Sequence, residues 1–340
     1  MAYDLHNNDL LIEVFMKCIL MLVLCFSIPA FAENQFSLDP KFESFEGGSF
    51  QREKEINDNI VDVSIDMLRN QLGTYEGFNK VPRDAHAKSH GCAKGRFVVN
   101  NRNLPRKYRL GIFKDNKSYE SWIRFSNNDE KPVRHDNQGD LRGVALKIMG
   151  VEGQKIMDGY EHATTQDFLL YGSNIFFIKN NADYVDFIRG LRDGNVVSTL
   201  LLNNPIAASK VFLAQRRLAN KVNLFDIDFF SATPVRLGRR DNPERTAFKY
   251  SVSKCEETQS YNIAGKEDAN YLRKNLIYTL RRNRTACFDF KVQLQKYPEI
   301  MPIEDASVPW PEKKRYFPLL DSNKDKFSPY VSVGKIYFSL

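Results

Sequence analysis

The chain has 340 residues, 42% of them hydrophobic and 27% charged, with a formal net charge of +7. That length and balance suit a folded protein with a substantial core and exclude a disordered chain. The positive charge is scattered in short clusters such as Arg216-Arg217 and Arg281-Arg282, without zinc-finger spacing, an RNP-like motif or a long basic run, so nucleic acid is not an expected partner.

Met16-Lys17 precedes an apolar run from Cys18 to Ile28, followed by Pro29-Ala30-Phe31-Ala32. A basic start, a short apolar core and an Ala-x-Ala end describe a secretory signal peptide over 1–32, with 1–15 as an upstream extension. The run is too short for a membrane span, which needs about 20 apolar residues. The expectation is therefore an exported protein, most simply periplasmic, with no stable span once the leader is cleaved. An uncleaved membrane anchor is the competing reading. Cys92, Cys255 and Cys287 lie beyond the leader, at spacings that indicate neither a metal cage nor a disulfide scaffold. A Cys255–Cys287 bridge stays open as an option in an oxidising compartment.

Residues 33–79 read as an arm and a helix, the arm from Glu33 to Phe50 and the helix from Ile56 to Leu72, stopped by Gly73. Strand-like runs follow at Arg96–Val99, Ser118–Ser126 and Arg142–Met149, and another within Phe168–Ile178 that ends in Ile175–Ile178. Helical spacing marks Asp183–Arg192 and Ile206–Leu218, the latter opened by Pro205. Strands return at Phe248–Val252 and Phe288–Leu294, with a helix over Ala269–Arg282 between them. Strands first, helices inserted and no βαβ rhythm predict an α+β fold on an antiparallel sheet or barrel. No internal repeat or linker divides residues 80–340, so one domain is expected there.

Two of the five histidines, His86 and His90, stand four apart. In a helix that spacing suits a metal, but no His-Glu-x-x-His pattern is present, and Gly91 and Gly95 lead into a strand. On spacing alone, a histidine satisfied by hydrogen bonds near a strand edge is the better reading.

Four motifs in order give a sharper one. Arg83-Asp84-Ala85-His86-Ala87-Lys88 is followed by Arg124-Phe125-Ser126, by Asp140-Leu141-Arg142-Gly143-Val144-Ala145-Leu146-Lys147, and by Phe176-Phe177-Ile178. Together they resemble the distal haem pocket of the catalase family over roughly residues 80–340. The segment from His86 to Gly91 and that from Pro302 to Val308 are similar to the smaller catalase-like branch. The resemblance implies an antiparallel β-barrel with inserted and flanking helices, holding haem b. It implies His86 as the distal acid–base group, Ser126 as its hydrogen-bond partner, and Arg83 and Arg124 as anchors for the haem propionates. Arginine's planar fork suits carboxylates, and a neutral imidazole can take and return a proton. Phe177 and Tyr184 fall where the family lays aromatic rings against haem. The family's distal asparagine falls on Gly172 without a gap, so Asn174, two residues on, is the candidate for it.

The family's iron ligand is a tyrosine four residues after an arginine, and no arginine in this chain has tyrosine at that spacing. The iron's fifth ligand is thus unknown, Lys313–Phe327 reads as an insertion, and residues 80–340 read as a haem domain without the proximal C-terminal helix. The leading expectation is decomposition of hydrogen peroxide or reduction of organic hydroperoxides by a monomer or homodimer. The alternatives are an enzyme that transforms fatty-acid hydroperoxides and a shortened, non-catalytic remnant.

Overall fold

The computed structural model describes residues 44–70, 83–155, 159–195, 202, 205–238, 242, 245–313, 323 and 325–339. The leader and most of the expected arm lie outside the described residues. Nine strands form one antiparallel sheet: β1 (Ser89–Val99), β2 (Ser118–Asn127), β3 (Arg142–Met149), β4 (Thr165–Tyr171), β5 (Phe229–Phe230), β6 (Val235–Leu237), β7 (Thr246–Lys254), β8 (Cys287–Leu294) and β9 (Val331–Ser339). They run in the order β5-β4-β3-β2-β1-β9-β8-β7-β6, and a further β5–β7 pairing closes eight of them into a barrel, with β6 appended to β7. Closure removes the free edges that an open sheet would present.

Side-chain alternation decides what each wall shows. On β2, Ile123 and Phe125 are buried in the core while Trp122 and Arg124, on the opposite face, reach more solvent. On β3, Val144, Leu146 and Ile148 point in and Lys147 is exposed on the other face. Much of the phenylalanine goes into the barrel. Phe290 meets Phe97 edge-on at 5.2 Å and Phe168 at 5.0 Å, and Phe288 meets Phe225 at 4.8 Å. Such pairs add about 0.5–1.5 kcal/mol each beyond their area burial. A Cys255–Cys287 disulfide, with Cα atoms 5.5 Å apart, ties the end of β7 to the start of β8.

Among the described residues four helices accompany the barrel: α1 (Phe50–Asn70), α2 (Asn181–Arg192), α3 (Pro205–Ala219) and α4 (Tyr271–Arg282). The α1 and α2 helices share a small core of Val63, Met67 and Ile188, joined by Tyr184, Phe187 and Leu191. Asn180 caps α2, its side-chain oxygen accepting from the Asp183 N–H. The start of α4 is held by Asp136, whose carboxylate accepts from the Leu272 N–H at 3.0 Å. From Glu46 onward the chain is one compact unit. No described helix is long and apolar enough to cross a membrane.

Several elements differ from the pattern reading. The α1 helix already begins at Phe50, which the reading had given to the extended arm. The strand expected within Phe168–Ile178 stops at Tyr171. Ile175–Ile178 leaves the sheet because its backbone is satisfied elsewhere: the Ser173 and Tyr171 hydroxyls donate to the Ile175 carbonyl, and the Phe176 N–H donates to Ala306. The start of β1 reaches back to Ser89, and β5, β6 and β9 carry no clear period of their own. Phe290 is fully buried at the centre of the aromatic cluster. Phe290→Ala should lower the free energy of unfolding by about 3–5 kcal/mol, read as an earlier midpoint in urea denaturation.

Candidate active site

His86 sits on the outer wall of the barrel, just before β1. Its backbone N–H donates to the Asn128 carbonyl and that of Ala87 to the Asp129 carbonyl, both at 3.1 Å. At His86 the backbone turns left-handed, with φ 59°, the one non-glycine residue with positive φ among those described. That conformation is costly outside glycine and persists only where surroundings enforce it. Arg124 helps to enforce it, Nη2 donating to the His86 carbonyl at 2.7 Å.

The ring rests on a gap left by Gly143, which pairs with Ser126 across β2 and β3. A Cβ at position 143 would lie 2.5 Å from both Cε1 and Nδ1 of His86. The Asp-x-Arg-Gly strand therefore ends its motif in glycine for a steric reason. Nδ1 lies 2.8 Å from the Asn127 carbonyl oxygen and 3.1 Å from Ser126 Oγ. A carbonyl only accepts, so Nδ1 carries the proton and the lone pair is on Nε2. Nε2 makes no hydrogen bond among the described residues. Burial lowers the His86 pKa; the Asn127 carbonyl opposes the shift, and the Arg124 and Arg83 charges reinforce it. At neutral pH His86 is an uncharged base.

That base lines a cavity of about 360 Å³ whose other wall is largely apolar, with Leu141, Phe176, Phe177, Tyr184, Phe187 and Phe212. Phe176 and Phe177 lie 4.9 Å apart, and Tyr184 packs 6.1 Å from Phe176. Asp140, Asp129 and Asp84 add carboxylates at the His86 side. Burial pushes Asp140 up to about 6, against the lowering charge of Arg142.

Arg83 and Arg124 do not line this cavity. They are close enough that the Arg83 charge, second to burial, lowers the Arg124 pKa. Neither pairs with a carboxylate among the described residues, so two adjacent guanidiniums beside His86 lack an anion. Asn174 stands apart from the cavity; its backbone carbonyl accepts from buried Lys249 at 2.7 Å. The structure thus groups His86, Ser126, Arg83 and Arg124, and lays Phe177 and Tyr184 on the facing wall. In the sequence Gly143 is one letter of the Asp-x-Arg-Gly motif and Asn127 carries no motif role; a glycine near the start of a strand is the available signal.

In chemistry the donor set suits one face of a haem: a neutral base, a cluster of aromatic rings across the cavity and, beside the cavity, two guanidiniums with no carboxylate partner among the described residues. It does not supply the other face. Tyr184 is the cavity's tyrosine, and burial together with Asp84 raises its pKa, which keeps the phenol protonated rather than an iron-binding phenolate. The described group with metal-ligand character is Cys255, Glu257 and Cys287; its two cysteines form the disulfide and Glu257 pairs with Lys335.

No protein-family model matches the sequence, and no curated protein matches it. Solved structures do match. A fungal catalase aligns with a TM-score of 0.57 at 16% identity, over 82% of this chain and 52% of that one. A bacterial catalase aligns at 0.56 and 19% identity, over 81% and 51%. Catalase A from Saccharomyces cerevisiae aligns at 0.57 and 17% identity, over 80% and 54%. The fold is catalase-like, an α+β barrel with covering helices, and the chain spans about half the length of these solved structures.

Gly143→Ala tests the cradle. The added methyl should displace the His86 ring and break the Nδ1 bonds to Asn127 and Ser126, visible in a crystal structure of the folded variant. A ring left in place would show that Gly143 is not the constraint.

Proposed function

We propose that the chain is a catalase-like haem protein that decomposes hydrogen peroxide or reduces organic hydroperoxides. The observation that carries this reading is His86: a neutral imidazole with Nδ1–H tied to the barrel and an Nε2 that no described residue binds, in a cavity walled by aromatic rings. Haem, when bound, supplies the iron at which the peroxide O–O bond is cleaved. Nε2 of His86 accepts a proton from one peroxide oxygen and returns it to the other, serving as base and then acid. The Asn127 carbonyl and Ser126 hold the ring's other nitrogen, so the proton leaves and returns at the same atom. Arg83 and Arg124 offer guanidiniums to the propionates, and the apolar wall excludes water from the reacting oxygens. Asn174 does not line the cavity, so it enters the reaction only if its loop is rebuilt.

The wall itself favours one refinement. Phe212 on α3 lines the cavity yet is 59% exposed, so an apolar surface continues from the cavity to solvent. A hydroperoxide carried on a hydrocarbon chain, such as that of a fatty acid, fits that surface better than hydrogen peroxide needs. Within the same reading the protein works outside the cytoplasm, in a periplasm, as a monomer or homodimer. The Cys255–Cys287 disulfide supports this placement, since such bonds persist in oxidising compartments. The remnant reading rests on the lack of a fifth iron ligand among the described residues.

Titration of the purified protein with hemin separates these readings. A saturating Soret band is expected, weakened when Arg83 and Arg124 are both changed to Ala. In the loaded protein, His86→Ala should lower peroxide turnover by about 100-fold or more. Absence of a Soret band would favour the remnant, and unchanged turnover would remove His86 from the chemistry.

A further inference from the structure

A second histidine, His90, lies four residues on, within β1. In β1, Ser89 pairs with Ser126 and Gly91 with Phe125, which leaves His90 as the extra residue of a bulge. Bulges re-aim side chains, and this one turns His90 into the end of the barrel, where it is fully buried. Its Nε2 lies 2.7 Å from Asn127 Oδ1. Arg142 Nη1 reaches the same oxygen at 2.9 Å, and Asn127 and Arg142 are also fully buried.

These contacts fix protons without ambiguity. A guanidinium only donates, so the Asn127 amide must turn its oxygen to Arg142. That oxygen faces His90 as well, so His90 Nε2 must be the donor and carries the proton. Burial holds His90 uncharged, lowering its pKa to about 4 against the raising effect of Asp136. His86 has its proton on Nδ1 and His90 on Nε2, opposite tautomers read by the backbone and side-chain carbonyls of one residue.

The network continues inward. Arg142 Nη2 donates to the Asp136 carbonyl at 2.6 Å, and the Asp136 carboxylate accepts from Lys88 Nζ at 2.6 Å and from the N–H that opens α4. The carbonyl that holds His86 thus belongs to a residue anchored through its side chain to a helix and to β3. His90 Nδ1, Asn127 Nδ2 and Arg142 Nε have no hydrogen-bond partner among the described residues, so the network rests on few bonds and removal of one partner is felt by the others.

We propose that His90, Asn127 and Arg142 are positioning residues which, through the wall of the barrel, fix the tautomer and orientation of His86. The catalytic use of His86 rests on the reading above, but the tautomers do not, because they are measured on the protein without added haem.

The test is two-bond 15N–1H correlation NMR of [15N]histidine-labelled protein at neutral pH. In the native chain His86 should show Nδ1–H alone and His90 Nε2–H alone. In His90→Leu, which removes the donor but keeps an apolar side chain in the core, the Nε2–H form of His86 should rise to about a tenth of molecules or more. His90→Gln, which restores an N–H donor, should return His86 to Nδ1–H. A folded His90→Leu with His86 wholly Nδ1–H would overturn the proposal. Asn127→Asp, nearly isosteric, provides an independent arm if His90→Leu does not fold. It places a carboxylate on His90 and should raise the His90 midpoint from about 4 by roughly one unit or more. A midpoint left near 4 would show that Asn127 does not hold His90, and the proposal would fall.

Discussion

The hydrogen bond from His86 Nδ1 to the Asn127 carbonyl, 2.8 Å long, is the contact on which the site depends. It decides which nitrogen keeps the proton and therefore which nitrogen can act as a base. It also joins two layers of structure, because Asn127 ends β2 and belongs to the barrel while His86 belongs to the segment outside it. Without that bond the imidazole would be free to flip. With it, a half-buried residue outside the barrel inherits the rigidity of a closed sheet.

The barrel matters to function for this reason. Its aromatic interior fixes the register of β2 and β3, and the register places Gly143 opposite Ser126. A shift by one residue would send Arg124 and Ser126 into the core and bring Phe125 out. The Cβ-less gap, the hydroxyl and the guanidinium all face His86 because of one pairing choice. Helices α2 and α3 complete the cavity but do not define the base.

Much of this was legible in the sequence wherever a physical period or a fixed spacing existed. Arg142–Met149 alternates cleanly and is a strand with those bounds. The grouping of His86, Arg124 and Ser126 followed from motif order. What stayed hidden depends on specific hydrogen bonds and on register. Ile175–Ile178 is apolar enough for a strand, yet its backbone is taken by Ser173, Tyr171 and Ala306. The bulge at His90 is invisible without the β1–β2 register, so His90 read as an ordinary strand-edge histidine. Asn127 has no signal of its own, since its importance lies in a main-chain oxygen that every residue possesses.

A pH titration of the His86 ring by 15N NMR on the native protein tests the central claim most directly. Burial and the two guanidiniums favour the neutral form, so the midpoint should lie below the ordinary value of 6.5, with Nε2 unprotonated at pH 7. A ring that is charged at pH 7, or that carries its single proton on Nε2, would contradict the account.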